Sequence, residues 1–272
     1  MSTPAVTVNE TARIAEPPLL RSDAGGIATL TLDRPKNYNA LSEELLAELQ
    51  GALETIEKDE SVRVVVIAGN GPAFCAGHDL KQMRATPRKD YYDKLFAQCS
   101  RFMLTLARIP QPVIARVHGI ATAAGCQLVA ACDLAVASDN AKFATSGINV
   151  GLFCSTPAVP VSRNIPRKQA MEMLLTGEFV DAATAKGLGL INRAVPADRL
   201  DAEVKNLANA IIAKSMVAVT TGKRMFYKQI EMGMQEAYDY AAGVMACNMM
   251  AEDVGEGIDA FMQKREPVWK GK

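Results

Sequence analysis

Two stretches of this sequence end a run of β-branched residues in a turn of small ones, and together they could hold an oxyanion. The first is residues 112–137, PVIARVHGIATAAGCQLVAACDLAVA. Val113–Val117 has the character of a buried strand, and residues 119–125 are all small or slim. Residues 126–131 then read as a short buried helix and 134–137 as the next strand. A small-residue turn feeding a helix N-terminus presents unpaired N–H groups and the positive end of a helix dipole, which suits an anionic oxygen. The same composition also suits a tightly packed strand–helix crossing, in which Gly and Ala serve close approach only. The second stretch begins with VRVVVIA at 62–68 and runs through Gly69, Asn70, Gly71 and Pro72 into AFCAGHDL at 73–80. Again a strand ends in a small-residue turn before an apparently helical segment. Two such turns can place two N–H donors on one carbonyl oxygen, the arrangement that stabilises a developing oxyanion.

Positioning those turns requires a scaffold of strands and helices. Ile27–Leu32 alternates as a strand, 34–39 is a loop, and Ser42 is a helix N-cap with Glu43 and Glu44 in the first turn. Leu45, Leu46, Leu49, Leu53 and Ile56 share one face of that helix, with Glu48, Glu54 and Lys58 outward. Strand 62–68 completes a β-α-β unit and predicts a parallel sheet. Residues 81–90 turn polar, with Pro87 and several basic side chains, and predict a mobile loop near the site. Residues 91–108 are helical in pattern, with Leu95, Phe96, Phe102, Met103 and Leu106 as core candidates. A third strand–turn repeat falls around 133–137 and Lys142–Ala144. Beyond Arg167 helices dominate: 168–176 ends at Gly177, a helix from Asp181 ends at Gly187 and Gly189 before a strand at 190–195, and 198–214, 217–233 and 234–250 are amphipathic. The expected organisation is an N-terminal arm over 1–22, a core over 23–205 and a C-terminal helical region over 206–272.

Composition narrows the partners. The 272 residues are 49% hydrophobic, enough for one large domain or a core with an appendage. Thirty basic residues balance thirty acidic ones with no basic block, so nucleic acid and anionic membranes are poor partners. No run of ~18 apolar residues exists to span a bilayer. Cys75, Cys99, Cys126, Cys132, Cys154 and Cys247 lack zinc spacing and a disulfide framework, and suit free thiols in a reducing compartment; no metal is expected. Residues 1–20 hold no signal-peptide apolar region, and Glu10 and Glu16 argue against a mitochondrial presequence. The expected location is cytoplasmic.

The pairing of AFCAGHDL with VHGIATAAGCQLVAACDLAVAS resembles the crotonase superfamily, the enoyl-CoA hydratase/isomerase family. The likeness runs from about Gly26 to the C-terminus. It takes in Arg34-Pro35-Lys36 with Asn39-Ala40-Leu41, residues 143–151, and FMQKR at 261–265. Within the family, CAGHDL, ATAAGCQLVA, NVGLFCSTP and the ending QKREPVW are most similar to the group called enoyl-CoA hydratase domain-containing 3. The resemblance implies an α/β fold, a crotonase-like spiral of repeated β-β-α units, with a C-terminal helical region that packs trimers, commonly paired as hexamers. It implies an acyl-CoA thioester as substrate, coenzyme A entering as part of that substrate and no other cofactor, and a link to fatty-acid metabolism.

By motif position, the resemblance assigns the oxyanion N–H groups to His78 and Ala124. Lys36, Ala40 and Leu41 match the loop along the nucleotide and pantetheine. Ala76, Asp79 and Leu80 match residues near the adenine and pantetheine arm. Lys264 matches a basic residue that approaches CoA phosphates, often in a neighbouring subunit; each lysine is equally readable as a solvated surface charge. Family hydratases use two glutamates as acid and base, and their places are taken here by Gln127 and Gly147. An aspartate used by some isomerases and dehalogenases falls at Ser155 or Cys154. Neither Gln127 nor Gly147 can exchange a proton near neutral pH, so ordinary hydration is expected to be weak or absent. His78, with an ordinary pKa of ~6.5, could serve as acid or base, or matter only for its N–H. His118 and Asp133 read as structural, Cys154 as a buried thiol, and Ile120, Cys154 and Ser155 as possible acyl-pocket residues. A non-catalytic acyl-CoA-binding protein or scaffold is the competing reading, and fold alone does not separate the two.

Overall fold

The computed structural model describes residues 17–272. Strands β1 (Leu19–Ala24) and β2 (Ile27–Leu32) form an antiparallel hairpin. Its turn is Gly25-Gly26 at φ +58° and +80°, a two-residue geometry that matches strand twist and favours glycine at both places. Helix α1 (Glu43–Ile56) starts where its cap predicts. The Ser42 hydroxyl accepts from the Leu45 N–H, and Leu45, Leu46, Leu49, Leu53 and Ile56 are buried.

Three successive units then each contribute one strand to a large sheet and a shorter one to a small sheet. β3 (Val64–Gly69) is followed by β4 (Ala73–Cys75), α2 (Leu80–Ala85) and α3 (Lys89–Arg108). β5 (Val113–Val117) is followed by β6 (Ile120–Thr122) and α4 (Ala124–Ala131). β7 (Leu134–Ser138) is followed by β8 (Lys142–Ala144), α5 (Ser155–Asn164) and α6 (Arg167–Thr176). β9 (Val180–Asp181), α7 (Ala182–Leu188) and β10 (Arg193–Val195) complete the sheets, before α8 (Leu200–Ile212), α9 (Met216–Gln229), α10 (Met234–Asn248) and α11 (Glu252–Gln263). The large sheet has the order β1-β2-β3-β5-β7-β10 and the small one β4-β6-β8-β9. Among the described residues only the β1–β2 and β8–β9 pairs are antiparallel. This is the repeated β-β-α spiral that the family resemblance implied.

Burial explains the apolar strand runs. β3 is buried along its whole length, because Val65 and Ile67 enter the main core while Val64 and Val66 meet Leu200, Val204 and Ala208 of α8 on the other face.

Several expectations are corrected. Residues 73–75 form β4, paired with β6, and the helix begins only at Leu80. Three strand residues are too few to show a period. The expected small-residue turn at 119–125 likewise contains β6. The polar stretch 81–90 is not a loop: α2 occupies Leu80–Ala85 and α3 begins at Lys89. Its polarity reflects exposure. The arm over 1–22 lies outside the described residues as far as residue 16, and its end falls inside β1. The boundary at 205/206 falls inside α8, which belongs to the core.

Helix α9 is tied to the core by a charged node. Lys223 Nζ donates to the carbonyls of Leu106 (2.7 Å) and Gln111 (2.9 Å) and to Asp133 Oδ2 (2.7 Å). Asp133 also accepts the Val113 N–H (2.6 Å) and the Tyr227 hydroxyl (2.8 Å). Burial pulls the Lys223 ammonium below its ordinary pKa, and Asp133 opposes that pull. Asp133 is therefore the hydrogen-bonded structural residue that the sequence suggested. The C-terminal segment is held by Asp253, which accepts from the Ser215 hydroxyl (2.6 Å) and the Lys270 N–H (2.7 Å). Apart from the inward Lys223 side chain, α9 and α10 are half-buried or exposed within this chain, and Met234, Tyr238, Met245 and Met250 are exposed.

Candidate active site

The two small-residue turns meet. His78 forms an isolated parallel bridge with Leu41. Its ladder bonds run from the Leu41 N–H to the Gly77 carbonyl (2.8 Å) and from the Asp79 N–H to the Leu41 carbonyl (3.2 Å). The His78 N–H between them has no acceptor among the described residues. Ala124 opens α4, so its own N–H lies ahead of the first intrahelical bond, from the Gln127 N–H to the Ala123 carbonyl. Each donor follows a residue at positive φ: Gly77 at +96° and Ala123 at +49°, ψ −119°. For Ala123 that conformation is costly, and strain of this kind persists only where the surrounding structure enforces it. Gly77 is obligatory for a second reason. A Cβ there would lie 2.9 Å from the Ala123 Cβ and 3.2 Å from the Ala124 nitrogen. Gly125 is more exacting still, since a Cβ would fall 2.0 Å from the Cys75 carbonyl oxygen.

Polar side chains away from the donors hold these turns in place. Asn39 is fully buried, and its amide donates to the carbonyls of Asn70 and Ala73, both at 2.8 Å. A ring nitrogen of His118 bonds the Gly71 carbonyl at 2.9 Å, joining one turn to the other. Arg34 pairs with Asp79 at 2.9 Å and also donates to the Ala40 carbonyl. Asp79 caps α2 through the N–H groups of Lys81 and Gln82. Burial alone would raise the Asp79 pKa, but Arg34 and the capping N–H groups bring it below the ordinary value.

A cavity of about 200 Å³ lies against both donors. Its wall includes Ala76, His78, Leu80, Ala124, Gly147, Cys154 and Ser155, so the structure brings these seven expected residues together. Met83, Phe96, Val150, Leu152 and Phe153 make most of the rest apolar. No Asp or Glu lines it. Ser146, in the same wall, shares a 2.6 Å hydroxyl hydrogen bond with Thr122.

The remaining expected residues lie elsewhere. Gln127, 3% exposed, sits in α4 with its Oε1 buried and unpartnered, outside the cavity lining. Ile120, expected in the acyl pocket, is 38% exposed at the start of β6 and is not part of that lining. Ala40 and Leu41 are buried and act on the site through the backbone that pins His78. Lys36 is exposed in a 3-10 turn, and Lys264 is exposed at the end of α11. Neither reaches this cavity within one chain. The sequence reading put Phe96 in the core, whereas it is half-buried in the cavity wall, and it did not single out Ala123, Gly77 or Ser146 for the site. Gly77 and Ala123 left a signal, inside CAGHDL and ATAAGCQLVA.

The electrostatics favour neutral groups. Burial lowers the His78 imidazole below its ordinary pKa, with the Leu41 backbone opposing. Its ring meets Phe96 edge-on, centroids 5.5 Å apart. Burial raises the Cys154 thiol, and the Gly147 backbone opposes it. Cys126 is pushed up to about 12 by burial. Cys154 is thus a thiol and a poor nucleophile. Among the described residues no cluster of three or more His, Cys, Asp or Glu could hold a metal, and no helix is long and apolar enough to cross a membrane.

Residues 22–272 match the family described as Enoyl-CoA hydratase/isomerase. The mouse protein named enoyl-CoA hydratase domain-containing protein 3, mitochondrial, is 46% identical over 90% of this chain and 81% of its own length. The human protein of that name is 44% identical over 94% of this chain and 85% of its own. A crystal structure described as enoyl-CoA hydratase from Mycobacterium smegmatis superposes with a TM-score of 0.92 at 59% identity, covering 93% of this chain and 99% of that one. The crystal structure of the human domain-containing protein 3 gives 0.90 at 44% identity, over 93% of this chain and 100% of that one. The cytoplasmic expectation is corrected by these relatives, since the mouse and human proteins are named as mitochondrial. Neutral charge and free thiols fit more than one reducing compartment, so bulk composition could not read an address.

Proposed function

The chain belongs to the enoyl-CoA hydratase/isomerase family, and from that premise we propose that its cavity binds an acyl-CoA thioester with the carbonyl oxygen between the N–H groups of His78 and Ala124. The observation that carries this reading is the pair of unpartnered N–H groups on two strained turns in contact with each other. Hydrogen bonds from both donors to the thioester oxygen lower the energy of an enolate-like state at the α-carbon. Each donor is worth about 3 kcal/mol of barrier. The Ala124 methyl does not interfere, because only its N–H is used.

The chemistry departs from hydration of a 2-enoyl thioester. That reaction needs one group to take a proton from water and another to deliver one to the α-carbon. Gln127 and Gly147 occupy the positions that the family resemblance gives to those two acids, and the cavity wall carries no carboxylate. His78 is the remaining wall residue that can take up a proton near neutral pH. The reading is therefore an acyl-CoA enzyme whose reaction uses oxyanion stabilisation with little proton transfer, or with His78 as the proton carrier. The carboxylate-free wall equally favours a protein that binds the thioester without turning it over. The exposed apolar faces of α9 and α10 support self-association; the family resemblance implies three copies, alone or as a pair of trimers, which sedimentation of the purified protein tests.

The deciding experiment is turnover of crotonyl-CoA, run beside calorimetric titration with acetoacetyl-CoA. Binding without hydration is the expected result. Hydration at rates typical of enzymes would overturn the reading of Gln127 and Gly147. Absence of binding would overturn the acyl-CoA assignment itself. Turnover of another acyl-CoA, lost in His78→Ala, would separate the enzyme from the binder.

A further inference from the structure

Three side-chain hydroxyls stand in the cavity wall, those of Ser146, Ser155 and Thr156, and the fold treats them differently. Ser155 turns back on its own loop, to the Phe153 carbonyl at 3.4 Å, and Thr156 follows it in the first turn of α5. Ser146 alone of the three is oriented by another side chain: its Oγ lies 2.6 Å from Thr122 Oγ1. Its backbone is fixed as well. Thr122 pairs with Ala144 across β6 and β8, and the Ala123 N–H donates to the Ala144 carbonyl at 3.0 Å. Thr145, fully buried, donates its hydroxyl to the Met173 carbonyl at 2.6 Å. Ser146 therefore stands next to the turn that presents the Ala124 N–H.

Hydrogen count sets the direction of the Thr122–Ser146 bond. Two hydroxyls carry two hydrogens, and the bond between them uses one. Thr122 is buried in β6, and its hydroxyl has no other partner among the described residues. Ser146 is half-buried and faces the cavity. A hydrogen without an acceptor costs less at the open end than at the buried one. Thr122 therefore donates, Ser146 accepts, and the Ser146 hydrogen is left for the cavity. A hydroxyl that accepts one hydrogen bond is polarised towards donating the next. We infer that the Ser146 hydroxyl, oriented by Thr122, is a third donor to the thioester oxygen, supplied by a side chain beside the two backbone N–H groups. Ser146 meets the ligand, and Thr122 is a positioning residue. This inference rests on the acyl-CoA reading of the same cavity. It adds a donor that residue type controls, whereas the backbone N–H groups at 78 and 124 persist through most substitutions.

The test uses butyryl-CoA isotopically labelled at the carbonyl carbon, a saturated thioester with no double bond to hydrate. Affinity is read by calorimetry and the carbonyl band by infrared difference spectroscopy, in the wild-type protein, Ser146→Ala, Thr122→Val and Thr122→Ser. Ser146→Ala should bind about tenfold more weakly, in line with the loss of one hydrogen bond. Its carbonyl band should move to higher frequency, because the C=O bond stiffens when a donor is withdrawn. Thr122→Val keeps the shape and removes the hydroxyl, and should move the band the same way by a smaller amount. Thr122→Ser should restore both readings. A merely structural role would weaken binding and leave the band in place, so weaker binding at an unchanged frequency would overturn the inference. Equal affinities in the wild type and Ser146→Ala would overturn it too, and in both cases the acyl-CoA reading stands. Absence of binding by the wild type would remove both. Should Ser146→Ala fail to fold, the Thr122 variants decide: a band that differs between valine and serine supports the inference, and one that does not overturns it.

Discussion

The Lys223 node and the active-site cavity handle buried polarity in opposite ways. At the node, side chains carry the charge, and Lys223 and Asp133 each meet three partners. At the cavity, polarity comes mainly from backbone N–H groups that have no acceptor among the described residues. A fully satisfied network rigidifies a core, whereas open donors beside a cavity are available to a ligand. The node should accordingly be sensitive to loss of charge, and the cavity to added atoms.

The largest expected effect is at the node. Lys223→Met leaves the largely buried Asp133 carboxylate, 14% exposed, without its cation and should cost about 3 kcal/mol or more, measured by denaturant unfolding. A loss under about 1 kcal/mol would mean that the node is hydrated and not a true contrast to the cavity. Next is Gly125→Ala, which adds one methyl against the Cys75 carbonyl. Overpacking there should cost about 3 kcal/mol and weaken acyl-CoA binding together with stability. Retained binding at full stability would show that the two turns can separate without harm.

Gly147→Glu sharpens the comparison at the site. A Cβ at 147 would lie 2.6 Å from the Leu152 carbonyl oxygen and 2.8 Å from Cys154 Sγ. The variant should lose about 1–3 kcal/mol and gain no crotonyl-CoA hydration, even combined with Gln127→Glu. A gain of hydration would show that the loop yields and that residue type alone closed this chemistry. The smallest effect is Asp79→Ala, which removes a helix cap and the Arg34 pair, for about 1 kcal/mol at neutral pH. Because the folded pKa of Asp79 is lowered, its contribution is present above the ordinary carboxylate value and is lost as pH falls through the lowered one. Wild-type and variant stabilities should therefore converge in acid, and a gap that persists there would remove the charge from the explanation.

Much of the frame is legible from residue types in order. The Leu face of α1, the β-branched runs of β3 and β5 and the Ser42 cap each express a local preference, so all appear where expected. β4 and α2 do not, because a three-residue strand has no period and an exposed short helix has the composition of a loop. Within the site, CAGHDL and ATAAG carry the resemblance that assigns both proposed donors, while Ile120 shows the limit of that reasoning. Its position beside the turn suggests the pocket, yet it sits at the exposed start of β6.

By itself, then, the sequence determined the alternation of strands and helices, the family, and which residue types stand at the candidate acid–base positions. The first follows from side-chain identity and short-range periodicity; the other two come through the resemblance that the spaced motifs carry. Tertiary structure alone decided what fills the space beside Gly147, that Asp79 is engaged by Arg34 across 45 positions of chain, and that burial lowers the His78 imidazole pKa against the opposing Leu41 backbone. Each of these is a distance between groups far apart in the chain, and close approach of that kind is set by packing rather than by any local preference.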